Sequence, residues 1–204
     1  MLVVGLTGSI GMGKSTAAAR FKANGIAVFD ADAKVHELYD GAIASEIEAA
    51  FPGTAASGKV DRAKLSAALL KDPAKFKTLE GIVHPKVRAA EKAFIKNEAA
   101  KGAKIAVLEV PLLFEAGGFE AVDAIIVVSA SAAVQRARVL ARPGMSDEKL
   151  ERLLKRQIPD AQKRRRADFV VETDGPISTC DTQIDVIIAA LQSRQGTAFQ
   201  KHWR

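Results

Sequence analysis

Five short runs rich in β-branched residues alternate with longer helical patterns, which makes this chain an α/β protein built on a parallel sheet with helices on both faces. A glycine-rich loop joins the first run to the first helix and reads Gly8-Ser9-Ile10-Gly11-Met12-Gly13-Lys14-Ser15. It satisfies G-x-x-x-x-G-K-[ST] between a strand and a helix, the context in which that pattern cradles phosphate. A long helical stretch without a convincing strand separates the second run from the third, so the sheet carries an insertion.

The elements follow in order. The first strand is 2–7, and the first helix opens near Gly13 on the helix-favouring Thr16-Ala17-Ala18-Ala19-Arg20. Asn24-Gly25 ends it, because both residues accept the left-handed conformation of a helix C-terminus. The second strand is 26–29. Helical patterns then occupy 33–50, 61–71, 73–83 and 85–101, broken by Phe51-Pro52-Gly53 and by Asp72-Pro73. Strands at 104–109 and 124–129 precede a helix over 131–142, which Arg142-Pro143-Gly144 stops. A second, strongly charged insertion covers 143–166, with a helix starting near Ser146, before the last strand at 168–171. The expected organisation is a nucleotide-binding core of 1–32, 102–142 and 167–204 with two insertions, a helical one at 33–101 and a charged one at 143–166. The tail 192–204 reads as polar and frayed, with Trp203 incidental.

Composition narrows the class. Hydrophobic residues make up 48% and charged residues 26% of 204 residues, which is globular chemistry in one domain or one core with insertions. The net charge of +6 suits a small protein that holds two polyphosphate ligands, and is moderate for a nucleic-acid binder. The single cysteine, Cys180, leaves no intramolecular disulfide or zinc cluster and fits a reducing, cytoplasmic compartment. No segment approaches the ~20 apolar residues of a membrane span, so no membrane partner is expected. Nothing in the sequence marks a protein partner.

The phosphate loop specifies its own chemistry, that of a P-loop NTPase-type five-stranded core. Its backbone N–H groups, from Gly8, Ser9, Ile10, Gly11, Met12 and Gly13 to Thr16, converge on phosphate oxygens. The helix start adds unpaired N–H groups and a positive dipole end. Lys14 reaches the β- and γ-phosphates, and the Ser15 hydroxyl is a ligand for Mg²⁺. A nucleoside triphosphate with Mg²⁺ is the expected pair.

Acids and bases suited to phosphoryl transfer stand after the other strands. Asp30 and Asp32 follow the second strand, where ligands collect in an open parallel sheet. Either could accept a hydroxyl proton, and either could cap the helix that starts near Ala33. Glu109, at the end of the third strand, stands where a carboxylate assists a metal. Leu112, Leu113 and Phe114 fill the core or floor a substrate site. Arg138 and Arg142 share one helix face, and Arg152, Lys155, Arg156 and the run Lys163-Arg164-Arg165-Arg166 make the second insertion either a closing flap or a solvated basic face.

In this order and spacing the chain resembles the dephospho-coenzyme A kinases. The resemblance runs from the phosphate loop through Asp30-Ala31-Asp32, Val60-Asp61-Arg62-Ala63-Lys64-Leu65 and His84-Pro85 to Val110-Pro111-Leu112-Leu113-Phe114-Glu115. It closes with Arg142, Gln157 and Ala167-Asp168-Phe169-Val170-Val171, so it covers nearly the whole chain. It implies transfer of the ATP γ-phosphate to the ribose 3′-hydroxyl of dephospho-coenzyme A, the last step of coenzyme A synthesis. It also implies Asp32 as catalytic base, Asp30 as its cap or support, and Lys14 and Arg142 as stabilisers of γ-phosphoryl charge. Thr7, Arg62, His84, Pro111 and Leu112 become candidate substrate contacts, with His84 equally a helix-start residue, and the loop after Val171 meets adenine. The resemblance also implies that the insertion 33–101 binds the acceptor and that 143–166 is a lid. The chain departs from the family where Glu172-Thr173-Asp174-Gly175 replaces a frequent Asn, and where Glu109 replaces a frequent Asp.

Two rival classes make different demands. A nucleoside monophosphate kinase needs an arginine-rich acceptor site, yet residues 33–60 contain Lys34 and Lys59 and no arginine. A nucleotide switch or nucleic-acid-dependent ATPase would exploit Lys163-Arg164-Arg165-Arg166, but aromatic content is only 5%, too little for a stacking platform. ATP and dephospho-coenzyme A, with no nucleic acid, are the expected partners.

Overall fold

The computed structural model describes residues 1–115 and 117–204. Strand β1 (Leu2–Thr7) leads through the phosphate loop into α1 (Lys14–Ala23), and β2 (Ala27–Asp30) leads into α2 (Ala31–Tyr39). Next come α3 (Ala44–Ala50), a hairpin of β3 (Ala55–Ala56) and β4 (Lys59–Val60), α4 (Arg62–Lys71) and α5 (Phe76–Ala100). The chain then runs through β5 (Ile105–Glu109), β6 (Ala124–Ser129), α6 (Ala132–Leu140), α7 (Asp147–Lys155), α8 (Asp160–Arg165), β7 (Phe169–Glu172) and α9 (Ile177–Gln192).

The main sheet has five strands in the order β2–β5–β1–β6–β7, so the strand that carries the phosphate loop lies at its centre. Both faces are buried, as the near-continuous apolar runs require. Leu2, Val4 and Leu6 alternate onto one face and pack with Phe21 of α1, Ile126 and Val128 of β6, and Ile184 and Leu191 of α9. Ile125 and Val127 turn to the other face, against Leu113 and Phe114. Each such fully buried aliphatic side chain contributes roughly 1.5–3 kcal/mol. Among the described residues no helix is long and apolar enough to cross a membrane.

Aspartates tie the amino ends of the strands together. Asp123 Oδ2 accepts Val3 N–H at 2.9 Å, and Asp168 Oδ2 accepts Ile125 N–H at 2.9 Å. The Ala-Asp-Phe pattern before the last strand is therefore a device that holds β6 beside β7. Asp123 Oδ1 also accepts Thr197 and Ala198 N–H at 2.6 and 2.8 Å.

The sequence expectation of a frayed tail is overturned at this point. Residues 199–203 form a helical turn, Trp203 is 1% exposed, and its indole N–H donates to Ala121 O at 2.6 Å. Gly196 permits the docking, since a Cβ there would come within 2.7 Å of Met1 O and 2.8 Å of Leu2 Cα. Polarity misled because the tail is anchored by a few contacts, the Thr197 and Ala198 N–H groups on Asp123 and the buried indole of Trp203, while its other polar side chains stay outside.

By its internal contacts the chain divides into two units, Met1–Phe29 with Phe94–Arg204, and Asp30–Ala93. The second unit surrounds its own apolar cluster of Ile43, Ile47, Phe51, Val60, Leu65, Leu69 and Val83. Asp61 caps α4 by accepting Ala63 and Lys64 N–H at 3.0 and 3.1 Å. The hairpin β3–β4 was not legible as strand, because its strands are two residues long and register only through the left-handed turn at Ser57 and Gly58. Glu48 steadies that region by accepting Gly53 and Ala55 N–H, both at 2.6 Å, and these bonds hold its carboxyl below the usual glutamate range. The separate helices expected at 73–83 and 85–101 are a single helix, α5, which runs through Pro85.

Candidate active site

The site grows from the carboxyl ends of β1, β6 and β7. Gly13 occupies the position before α1 with φ at 91°, a left-handed conformation that a Cβ would strain, and the next N–H groups open the helix. Lys14 curls back over the loop, and its Nζ donates to Gly8 O at 2.9 Å. Ser15 and Thr16 follow in the first turn.

A pocket of about 410 Å³ opens over this turn, and its lining includes Gly13, Lys14, Ser15, Arg138, Arg142 and Thr173. The structure thus brings together Lys14, Ser15, Thr16 and Arg142, all singled out from sequence. Positive charge from three side chains and a helix N-terminus meets in a space the size of a nucleotide. Cys180 also lines it, and burial pushes its thiol up, toward the protonated form.

Thr173 fixes the far wall. Its hydroxyl donates to Met12 O at 2.8 Å and receives Arg138 Nη1 at 3.0 Å, while Arg138 Nη2 donates to Thr173 O at 2.5 Å. Asp174 accepts Ser131 N–H at 2.8 Å and Ser131 Oγ–H at 2.6 Å. Those bonds hold the Asp174 carboxyl below the usual aspartate range. The segment Glu172-Thr173-Asp174-Gly175 is therefore pinned to the phosphate loop and to the end of β6 by side chains whose partners sequence could not name.

The remaining candidates are placed as follows. Thr7 is fully buried, and its hydroxyl donates to Pro111 O at 3.2 Å, which joins the ends of β1 and β5. Leu112 is 44% exposed while Leu113 and Phe114 are buried, so the apolar triplet splits between surface and core. Glu109 is buried beside Leu6 in the sheet register. In the Asp30–Ala93 unit, Asp30 caps α2 by accepting Ala33 N–H at 2.9 Å, whereas Asp32 stands exposed in the first turn. Arg62 lies against His36, with Nη1 at 2.5 Å from Nδ1, an imidazole that sequence reading passed over. His84 is exposed on α5.

Several basic residues of 143–166 are engaged internally. Lys163 is fully buried and ion-pairs with Glu115 across 2.9 Å. Arg164 donates to Ser129 Oγ at 2.9 Å and to Glu172 at 2.5 Å. Arg166 lies over the rings of Phe114 and Phe119, 4.3 and 4.6 Å from their centroids. Lys163 and Arg166 thus seat this segment on the loop after β5, and Arg164 ties it to the ends of β6 and β7.

A phosphate loop on the central strand of a five-stranded parallel sheet, facing a cationic pocket, defines a P-loop kinase-type protein. The family model described as Dephospho-CoA kinase matches residues 2–179. A dephospho-CoA kinase of Rhodopseudomonas palustris is 55% identical over 190 residues, which is 93% of this chain and 96% of that one. One from Mesorhizobium japonicum is 52% identical over 197 residues, covering 97% and 100%. The solved structure of dephospho-CoA kinase from Campylobacter jejuni superposes with a TM-score of 0.70 at 25% identity, covering 93% of this chain and 96% of that one. The chain belongs to the dephospho-CoA kinase family.

Proposed function

We propose that this protein transfers the γ-phosphate of ATP to the ribose 3′-hydroxyl of dephospho-coenzyme A, giving coenzyme A and ADP as the final step of coenzyme A synthesis. The observation that carries this reading is the cationic pocket over the first turn of α1, in a chain of this family.

Phosphoryl transfer asks the protein for position and charge rather than for covalent chemistry. The loop N–H groups and the start of α1 bind the β- and γ-phosphates. Lys14, displaced from Gly8 O, and Arg142 stabilise charge on the γ-phosphoryl oxygens as it builds. Asp32 accepts the proton of the 3′-hydroxyl, a division of labour supported by Asp30 being spent on the α2 cap. Pro111 and Leu112 remain acceptor contacts, whereas Thr7, fully buried and bonded to Pro111 O, supports that wall from behind; residues 33–101 bind the acceptor through Arg62 and His84. Residues 143–166 close as a lid, and the loop after Val171 receives adenine.

Mg²⁺ fits the donors present. Ser15 offers an exposed hydroxyl at the pocket, and among the described residues no cluster of three or more His, Cys, Asp or Glu side chains competes for a metal. One protein oxygen completed by phosphate oxygens and water is the coordination Mg²⁺ favours. Bound there, Mg²⁺ would neutralise the β- and γ-phosphate oxygens.

Product analysis tests the regiochemistry. A new ³¹P resonance of a ribose 3′-monoester, formed from ATP and dephospho-coenzyme A, is expected. A phosphoanhydride product would replace this reading with a nucleotide kinase.

A further inference from the structure

Gln157 falls within the family pattern but has no part in the roles assigned to Lys14, Arg142 and Asp32. It follows α7, and its Oε1 accepts a hydrogen bond from Ile10 N–H of the phosphate loop at 3.2 Å. On the other side of the same residue, Ile10 O accepts from Gln135 Nε2 at 2.8 Å. Gln135 lies on α6 and is only 6% exposed. The peptide planes on both sides of Ile10 are therefore set by side chains from outside the loop.

The residue after Gln157 makes a second attachment. Ile158 N–H donates to Glu115 Oε1 at 2.8 Å, and that carboxylate pairs with the buried Lys163. Two successive residues of 143–166 thus grip the loops that follow the neighbouring strands β1 and β5. A loop that binds phosphate through its N–H groups has one of them given to a glutamine instead, which is a cost in ligand contacts unless the bond positions something.

We propose that Gln157 is a positioning residue for phosphoryl transfer, registering segment 143–166 on the phosphate loop through Ile10 N–H. The bond then keeps the segment seated on the loop while the loop holds its phosphate-binding form. The inference rests on the lid role proposed above. It concerns the coupling of the lid to the loop and not the identity of the acceptor.

Gln157→Met keeps the length of the side chain and removes the acceptor, while Gln157→Glu keeps an acceptor oxygen. Hydrogen exchange at the Ile10 amide and steady-state kinetics read both variants. One neutral hydrogen bond corresponds to roughly a three- to tenfold change in rate. Gln157→Met should lower kcat by that factor with KM for ATP held within twofold, and should speed Ile10 exchange. Gln157→Glu should restore the slow exchange and recover kcat. Unchanged kcat in Gln157→Met, or Ile10 exchange equal to wild type, overturns the proposal.

The wild-type protein provides an arm independent of folding defects and of turnover. On binding a non-hydrolysable ATP analogue, Ile10 and residues 143–166 should gain protection together. A segment that becomes protected while Ile10 does not also overturns the proposal. Wild-type turnover of dephospho-coenzyme A, measured alongside, tests the acceptor by itself.

Discussion

The two ends of the same parallel strands are built for opposite purposes. At the amino ends, Asp123 and Asp168 satisfy the N–H groups of neighbouring strands, and Trp203, 1% exposed, donates to Ala121 O in the segment before β6. At the carboxyl ends, Gly13 is left-handed, the first turn of α1 faces a pocket of about 410 Å³, and Lys14 and Arg142 line it. Side chains satisfy backbone groups at both ends, but only at the carboxyl ends does a helix N-terminus open onto a cationic pocket. Stability and chemistry are thereby separated along a single sheet, and substitutions at the two ends should fail in different ways.

The largest effect belongs past the carboxyl end of β2. Asp32→Asn should lower kcat by roughly 10²–10⁴ with little change in ATP affinity, as the proposed role of proton acceptor requires. An unchanged kcat would make Asp32 a second helix-terminus residue like Asp30. Lys14→Ala should reduce kcat by roughly 10²–10³ while circular dichroism and melting temperature stay near wild type. Loss of the folded spectrum would instead give Lys14 a structural part, through contacts such as that to Gly8 O.

At the amino ends the pattern should invert. Trp203→Ala should destabilise by about 3 kcal/mol in denaturant unfolding, with KM for both substrates unchanged. A kinetic defect without a stability defect would erase the distinction between the two ends.

The smallest effect is one of pH. Hydrogen bonds from Ser131 hold the Asp174 carboxyl below its ordinary value of 3.8, so the bonded form is the carboxylate. Its contribution is present above that value and is lost as pH falls through the lower folded value. Stability of Asp174→Asn should therefore decline less steeply on acidification below about pH 4, read as melting temperature against pH. Equal slopes would mean that Ser131 does not discriminate the charged form.

What sequence exposed and what it hid divide between local pattern and distant contact. The strands, the phosphate loop and the helix stop at Asn24 were legible because each rests on local pattern: alternation, glycine spacing and capping chemistry. Every strand expectation of the main sheet lies within a residue or so of its observed bounds. The docking of the tail was hidden, since Thr197 and Trp203 find partners at Asp123 and Ala121, far away in sequence. Pro85 within α5 was hidden for a related reason, because packing overrides a local breaker. In the site, Lys14, Ser15 and Arg142 could be named from motif and position. Thr173, Arg138 and Gln135 act on backbone atoms of distant segments, and no spacing rule announces such partners.

The most direct test of the account is coupled ADP release with Mg²⁺-ATP and, in separate reactions, dephospho-coenzyme A, adenosine, AMP, CMP and water alone. The account predicts rapid turnover with dephospho-coenzyme A and negligible turnover with the others. Turnover with a monophosphate, or ATP hydrolysis that needs no acceptor, would contradict it.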